Sequence, residues 1–182
     1  GVIYKYFGDK QSLFLACVRH SLELLDATLR EAVPEGADAE TSIRALVPAL
    51  IAAARQHGNY NVLYNEITSG SCREFAPELA REIESRTARL YTRLFETAKE
   101  AGVLAPGLAP EAAAFFFDNL LMMLQFSYSC DYYQHRMRLY CGENAAWNDE
   151  MMADQLTRFL LGAMRGEGSC NISLPTTSEP PA

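Results

Sequence analysis

The chain lacks the alternating apolar pattern of β-strands almost entirely, which excludes sandwiches, barrels and doubly wound sheets. It also lacks an apolar run long enough to span a bilayer. The richest stretch, 112–126, is interrupted by Asp118, Asn119 and Gln125. No basic leader with an apolar centre opens it. Basic charge is in deficit, with 16 Lys and Arg against 23 Asp and Glu and a net charge of −7, so the sequence as it stands is a poor phosphate binder. Paired cysteines are missing too. The five, Cys17, Cys72, Cys130, Cys141 and Cys170, are odd in number and form no Cys-x-x-Cys, which points to reduced thiols in the cytoplasm.

Catalytic signatures are likewise absent: no Gly-x-Ser-x-Gly, no His-Glu-x-x-His and no phosphate-cradling glycine loop. His20, His57 and His135 have no neighbours that would make a nucleophile–base pair, so no enzyme activity is expected. Cys130, His135 and Cys141 are close enough in sequence to raise the question of a metal. On one helix, Cys130 and Cys141 share a face but lie about 16 Å apart at about 1.5 Å per residue, and His135 points elsewhere. Neither a metal nor a cofactor is expected.

What remains is a globular composition, 49% apolar and 21% charged, arranged with helical period. The pattern predicts an all-α fold. A first helix covers Lys10–Ala32, with Leu13, Phe14, Cys17, Val18, Leu24, Leu25 and Leu29 as its stripe, and Pro34-Glu35-Gly36 ends it. A second covers Asp38–Gln56, with Pro48 expected to kink it. A third covers Tyr60–Thr68 and a fourth Pro77–Ala101, closed by Gly102. A fifth begins at Pro110 and is expected to run to about Tyr140. Its first half, from Phe115 to Phe126, is apolar almost all round and must be covered on more than one side. The last covers Asn148–Met164. Residues 166–182, rich in Gly, Ser, Thr and Pro, read as a disordered tail.

The opening, Gly1-Val2-Ile3-Tyr4-Lys5-Tyr6-Phe7-Gly8-Asp9-Lys10-Gln11-Ser12-Leu13-Phe14, reads as the end of a structure rather than its beginning. Ile3 and Phe7 share one helical face, Gly8 can stop that helix, and Asp9 can cap the next. So short a helix needs apolar partners upstream. The run Tyr4-Lys5-Tyr6-Phe7-Gly8-Asp9-Lys10, followed by Leu13-Phe14, resembles the end of the DNA-binding region of TetR-family transcriptional regulators. Tyr64-Asn65-Glu66 with Phe75-Ala76-Pro77-Glu78-Leu79 is similar, more loosely, to that family's link between its sixth and seventh helices. On this resemblance, residues 1–9 are the end of a truncated helix-turn-helix, and 10–165 are a helical regulatory and dimerisation domain.

The resemblance implies a ligand-responsive DNA-binding regulator, most often a repressor, that works as a homodimer on operator DNA and answers to a small-molecule effector, with no membrane partner. It implies phosphate contacts from Tyr4, Lys5, Tyr6 and Lys10, which set register rather than sequence choice. Alternatively, Tyr4 packs inward and the lysines are solvated. It places an effector pocket among Tyr60, Asn61, Tyr64, Asn65, Tyr91, Phe95, Phe116, Asn119 and Met123, where ordinary core packing is the competing reading for each residue. A dimer interface is expected at Leu121, Leu124, Tyr128, Leu156, Phe159, Leu160 and Ala163, supported independently by the two-sided apolar character of the fifth helix. The alternative function is an all-α sensor or protein-interaction module without a DNA role.

Overall fold

The computed structural model describes residues 10–67, 76–144 and 148–166. The expected helix-turn-helix end at 1–9, with Tyr4, Lys5 and Tyr6, lies outside them, as do the side chain of Lys10 and the tail beyond Gly166. Among the described residues there are seven helices and no strand: α1 Lys10–Ala32, α2 Ala39–Gln56, α3 Gly58–Glu66, α4 Ala76–Glu100, α5 Pro110–Ser129, α6 Asp131–Cys141 and α7 Asp149–Arg165.

Helix α2 is the centre. Ile43, Leu46, Val47, Leu50, Ile51 and Ala54 recur at three- and four-residue spacing, and all are buried. They meet α1, α5 and α7, and less extensively α3 and α4. The N-cap is Asp38, whose carboxylate accepts from the Thr41 backbone N–H at 2.7 Å and is thereby held below its ordinary pKa. Pro48 does not end the helix. It faces outward, and the missing N–H costs one bond to the carbonyl of Arg44 on the solvent side, where water can replace it.

Two boundaries differ from the sequence expectation. The third helix starts at Gly58, two residues early, and packs close to Ser129. The long fifth helix is two helices. At Cys130 the backbone turns extended (φ −112°, ψ 128°), and α6 leaves in a new direction. Apolar periodicity hid this break, because no Gly or Pro marks it. Side chains hold the corner instead: Asn61 Nδ2 donates to Ser129 Oγ at 2.9 Å, and Ser129 Oγ donates to the Ala54 carbonyl at 3.4 Å.

Helices α4 and α5 form the most extensive pair. Between them Tyr91, Phe95 and Phe117 stack edge to face, with ring centroids 4.9 Å apart for Tyr91–Phe117 and 5.6 Å for Phe95–Phe117. Gly102, at φ +70°, closes α4 while the Val103 N–H reaches back to the Ala98 carbonyl. The following loop is pinned to the end of α7 by the Ala105 N–H, which donates to the Met164 carbonyl at 2.7 Å. At the other end of α7, Arg55 pairs with Asp149 at 2.7 Å and lies 4.3 Å over the ring of Tyr128.

A second, smaller cluster lies apart from this core. Val18 of α1 meets Ile67 and Ile83, with Phe14, Leu15, Leu22, Leu63 and Tyr64 around them. Helix α1 is therefore split: its first half belongs to the small cluster, and Leu25, Leu29 and Ala32 belong to the main core.

Leu46 is fully buried in the main core. Leu46→Ala is expected to cost about 2–5 kcal/mol in urea unfolding, because the surrounding helices cannot close the cavity it leaves. A loss below about 1 kcal/mol would show that α2 is not the packing centre.

Candidate functional site

Between the two apolar clusters lies a cavity of about 90 Å³. Each of four helices turns one stripe toward it. Helix α1 gives Val18, Ser21, Leu22 and Leu25; α3 gives Tyr60, Asn61 and Tyr64, with Ile67 just beyond its end. Helix α4 gives Ile83, Glu84, Thr87 and Tyr91, and α5 gives Asp118, Leu121, Met122 and Gln125. Positions 84, 87 and 91, and 118, 121, 122 and 125, are helical stripes of the same kind that elsewhere build core.

The polar groups in this lining are acidic. Asp118 sits on the apolar half of α5, and burial, with the Glu84 charge adding to it, pushes its carboxyl up to about 6. The Tyr64 hydroxyl donates to the Glu84 carboxylate. Burial, then the two carboxylates, push the Tyr91 hydroxyl well above the usual tyrosine range. For Tyr64 the order is burial, then Glu84. The lining contains no Lys, Arg or His.

Of the residues expected in a pocket, the cavity brings together Tyr60, Asn61, Tyr64 and Tyr91. It leaves out the other five, for reasons of helix rotation. Asn119 lies one step, about 100°, round from Asp118. Its amide donates to the Phe115 carbonyl at 2.7 Å, so it has a partner on its own helix. Phe116 is about 200° away from Asp118 and is 60% exposed. Met123 is displaced in the same sense from Met122. Phe95 is one turn behind Tyr91 and packs on Phe117 within the core. Asn65 is half-buried on α3 outside the lining.

Sequence reasoning missed Glu84 and Asp118. The signal for Asp118 was present, a carboxylate in the middle of an apolar run. Glu84 had none, since α4 is charged along most of its length.

The expected interface residues also separate. Leu121 is buried and lines the cavity, and Leu160 is buried in the chain's own core against its neighbours on α7. Tyr128 is buried beneath Arg55, its hydroxyl unpartnered and pushed up to about 12 by burial and by Asp149. These three cannot present an outward face. Leu124 and Leu156 are half-buried against the core, whereas Phe159 and Ala163 face out. Phe115, Phe116 and Leu120 of α5 are also exposed.

The metal question takes a different form once the helix breaks at Cys130. That thiol is buried beside Asn61, while Cys141 is exposed. Among the described residues no group of three His, Cys, Asp or Glu side chains is placed to hold an ion. No described helix is long and apolar enough to cross a membrane.

The raised carboxyl of Asp118 has a consequence for stability. Below about pH 4 it is protonated in the folded and unfolded chain alike and contributes nothing. Between about pH 4 and 6 the unfolded chain releases the proton first, so stability falls as pH rises. A rise from 3.8 to about 6 corresponds to roughly 3 kcal/mol above that window. Asp118→Asn is expected to melt several degrees above the parent at pH 7.5, with the gap closing by pH 4. A gap that does not change with pH would contradict the buried carboxylate.

Comparison with known proteins gives two relatives. The chain is 35% identical over 95 residues to the HTH-type transcriptional regulator BetI of Paraburkholderia xenovorans, covering 52% of this chain and 48% of that protein. It is 33% identical over 122 residues to the protein of the same name from Paraburkholderia phymatum, covering 66% and 61%. The chain thus spans between about half and three-fifths of the length of the curated relatives it matches. No family model matches the chain, and no solved structure does.

Proposed function

We propose, from the premise that this all-helical chain is a TetR-like relative of helix-turn-helix regulators, that it is the regulatory part of a ligand-responsive transcriptional repressor. The observation that carries this reading is the position of the cavity. It opens onto Val18, Ser21, Leu22 and Leu25, so an effector inside it touches α1, the helix that directly follows the Tyr4–Lys10 motif.

The mechanism is a population shift. The first half of α1 is held by the small cluster and by a surface ion pair to α4, Arg19–Glu82 at 2.8 Å, and a second pair, Asp26–Arg86 at 3.6 Å, ties its second half to the same helix. Exposed pairs of this kind contribute up to about 1 kcal/mol each. A ligand that packs better against one placement of α1 than another moves the DNA-binding segment ahead of it. Two such segments in a homodimer must sit about 34–36 Å apart, one DNA turn, or a multiple of it, to engage a palindromic operator. The protein acts in the cytoplasm, where operator and effector meet.

The homodimer buries the outward apolar side chains of α5 and α7, Phe115, Phe116, Leu120 and Phe159, with Leu124, Leu156 and Ala163 at the margin. Tyr4, Lys5, Tyr6 and Lys10 contact phosphates. An all-α sensor without a DNA role is the competing reading, and the experiments below separate the two.

Light scattering at micromolar concentration is expected to give a dimer. Phe116→Glu with Phe159→Glu is expected to give a folded monomer, since a charge buried unpaired at an interface costs several kcal/mol. A dimer that survives both changes places the interface elsewhere.

A longer form with a helix-turn-helix ahead of Gly1 is expected to bind a palindromic site, with affinity falling steeply as salt rises. Lys10→Ala in that form is expected to weaken binding on all sequences alike and to lower the salt slope by about one. Failure of the longer form to retain any genomic fragment would leave the sensor reading.

A further inference from the structure

We infer that the groove between the α1–α2 link, the start of α2 and the second half of α4 binds an amphiphilic carboxylate, an anionic head on a medium-length alkyl chain. The head would lie on Arg93 and the chain over Leu90 toward Leu29. The seat of the head shares no residue with the cavity between α1, α3, α4 and α5, so this site stands or falls apart from the effector reading.

The walls come first. The groove encloses about 330 Å³, with Val33 and Pro34 of the link, Leu46 of α2 and Leu90 and Leu94 of α4 as its apolar surface. Small-molecule sites run from about 300 to 1,000 Å³ and are mostly apolar, with a few fixed polar groups. Besides Arg93, the polar side chains here are Ser42 and Thr97, and each already donates to a backbone carbonyl. The guanidinium is therefore the strong donor left for a ligand. A head that only accepts hydrogen bonds complements it, and a carboxylate is such a head.

Charge decides the sign. Arg93 is the one charged residue in this lining. Among the described residues no carboxylate forms an ion pair with it. That sets it apart in a chain where acids outnumber bases 23 to 16. Arg30, Arg44, Arg55 and Arg158 each hold a carboxylate at 2.7–2.8 Å. An arginine without such a partner, over an apolar groove, can take a carboxylate from outside through two parallel N–H donors. The start of α2 does not compete for the anion, because Asp38 already caps it. A cation meets repulsion from Arg93, and an alcohol of the same length forgoes the charge-assisted bond.

The path of the chain follows from the groove's continuation. Past Val33, Pro34 and Leu90, which both stretches share, a second stretch of about 350 Å³ runs between α1 and α4 over Leu29. Its charges are largely spent on one another. Asp26 holds Arg30 at 2.8 Å and Arg86 at 3.6 Å, and Glu35 stands on the exposed link at the rim. This stretch suits a hydrocarbon chain rather than a second head. Leu90, midway, is 36% exposed and is apolar surface that the chain would cover. From Arg93 to Arg86 is about 10 Å along α4, at about 1.5 Å per residue, which fits a chain of medium length.

Titration calorimetry of the full chain with decanoate, 1-decanol, decyltrimethylammonium and acetate, each below its micellar or solubility limit, tests the assignment. Decanoate is expected to bind at least about fivefold more tightly than decanol, with the cation and acetate weaker still. Arg93→Gln is expected to bring decanoate down to the level of decanol and to leave decanol unchanged. Arg93 is exposed, so this variant should keep its fold, which circular dichroism checks. Leu90→Glu sets a like charge in the path of the chain and is expected to remove decanoate binding. Hydrogen exchange locates the ligand: decanoate is expected to slow exchange over 33–42 and to leave 58–66, which lines the other cavity, unchanged. Protection of 58–66 in place of 33–42 moves the anion to the effector cavity and overturns the groove site. Decanol binding as tightly as decanoate, or decanoate binding indifferent to Arg93→Gln, overturns the carboxylate head. A preference for the cation, or silence from all four probes, overturns the proposal outright.

Discussion

Burial of the α2 stripe is the constraint from which the rest of the arrangement follows. A helix with Ile43, Leu46, Val47, Leu50 and Ile51 on one broad face needs neighbours along its whole length. Helices α1, α5 and α7 supply them. Each spends its most regular apolar stripe on this contact. Leu25 and Leu29 of α1, Ala113, Phe117 and Leu121 of α5, and Leu160, Leu161 and Met164 of α7 are all committed to the one core. What lies beyond the reach of α2 has to pack on something else. That is why Val18, Ile67 and Ile83 form a cluster of their own, and why a cavity remains at the seam.

The seam explains the polarity of the site. A helix face that turns toward α2 tolerates no charge, because the interior is close-packed and dry. A face that turns toward the seam meets space. Glu84 and Asp118 lie on such faces, and Asp118 is only one step along α5 from Phe117, which is wholly core. Burial of the Asp118 carboxyl, raised to about 6, costs the fold stability once that group is ionised. Sites that keep such a cost are commonly sites of function.

Helix class and most boundaries were legible in the sequence, because they follow from period, caps and breakers that act locally; the number was not, since six helices were expected and the described residues form seven. Pro110, Gly102 and Asp38 each do in the structure what their chemistry predicts. The break at Cys130 was not legible. It depends on Asn61 and Ser129 meeting across 68 positions, and nothing between Ser127 and Asp131 announces it. The lining of the cavity was half legible. Aromatic residues on α3 and α4 could be recognised, but the rotation of each helix decides whether 118 or 119 points inward, and only the packing of Phe117 and Leu121 fixes that rotation. The outward face was misread in the same way. Leu160 and Phe159 are adjacent and equally apolar, yet 6% and 64% exposed, because α7 turns Leu160 toward α2.

The coupling available to such a seam can be bounded. Helix α1 packs on the main core only in its second half. Ahead of Leu25 it meets the small cluster through Phe14, Leu15, Val18 and Leu22, and pairs Arg19 with Glu82 at the surface, where solvent and salt weaken the attraction. Allosteric couplings of about 1–3 kcal/mol are typical and shift an equilibrium roughly 5- to 150-fold. One methylene-sized difference in contact with Leu22 or Leu25, at about 0.8 kcal/mol per buried CH₂, already supplies a good part of that range. Had α1 been locked along its whole length as α2 is, no small ligand could move it. Had it been free, nothing would define two states. The division of α1 between a large cluster and a small one, with the cavity lying across the boundary, is the feature on which the proposed ligand-driven switch would act.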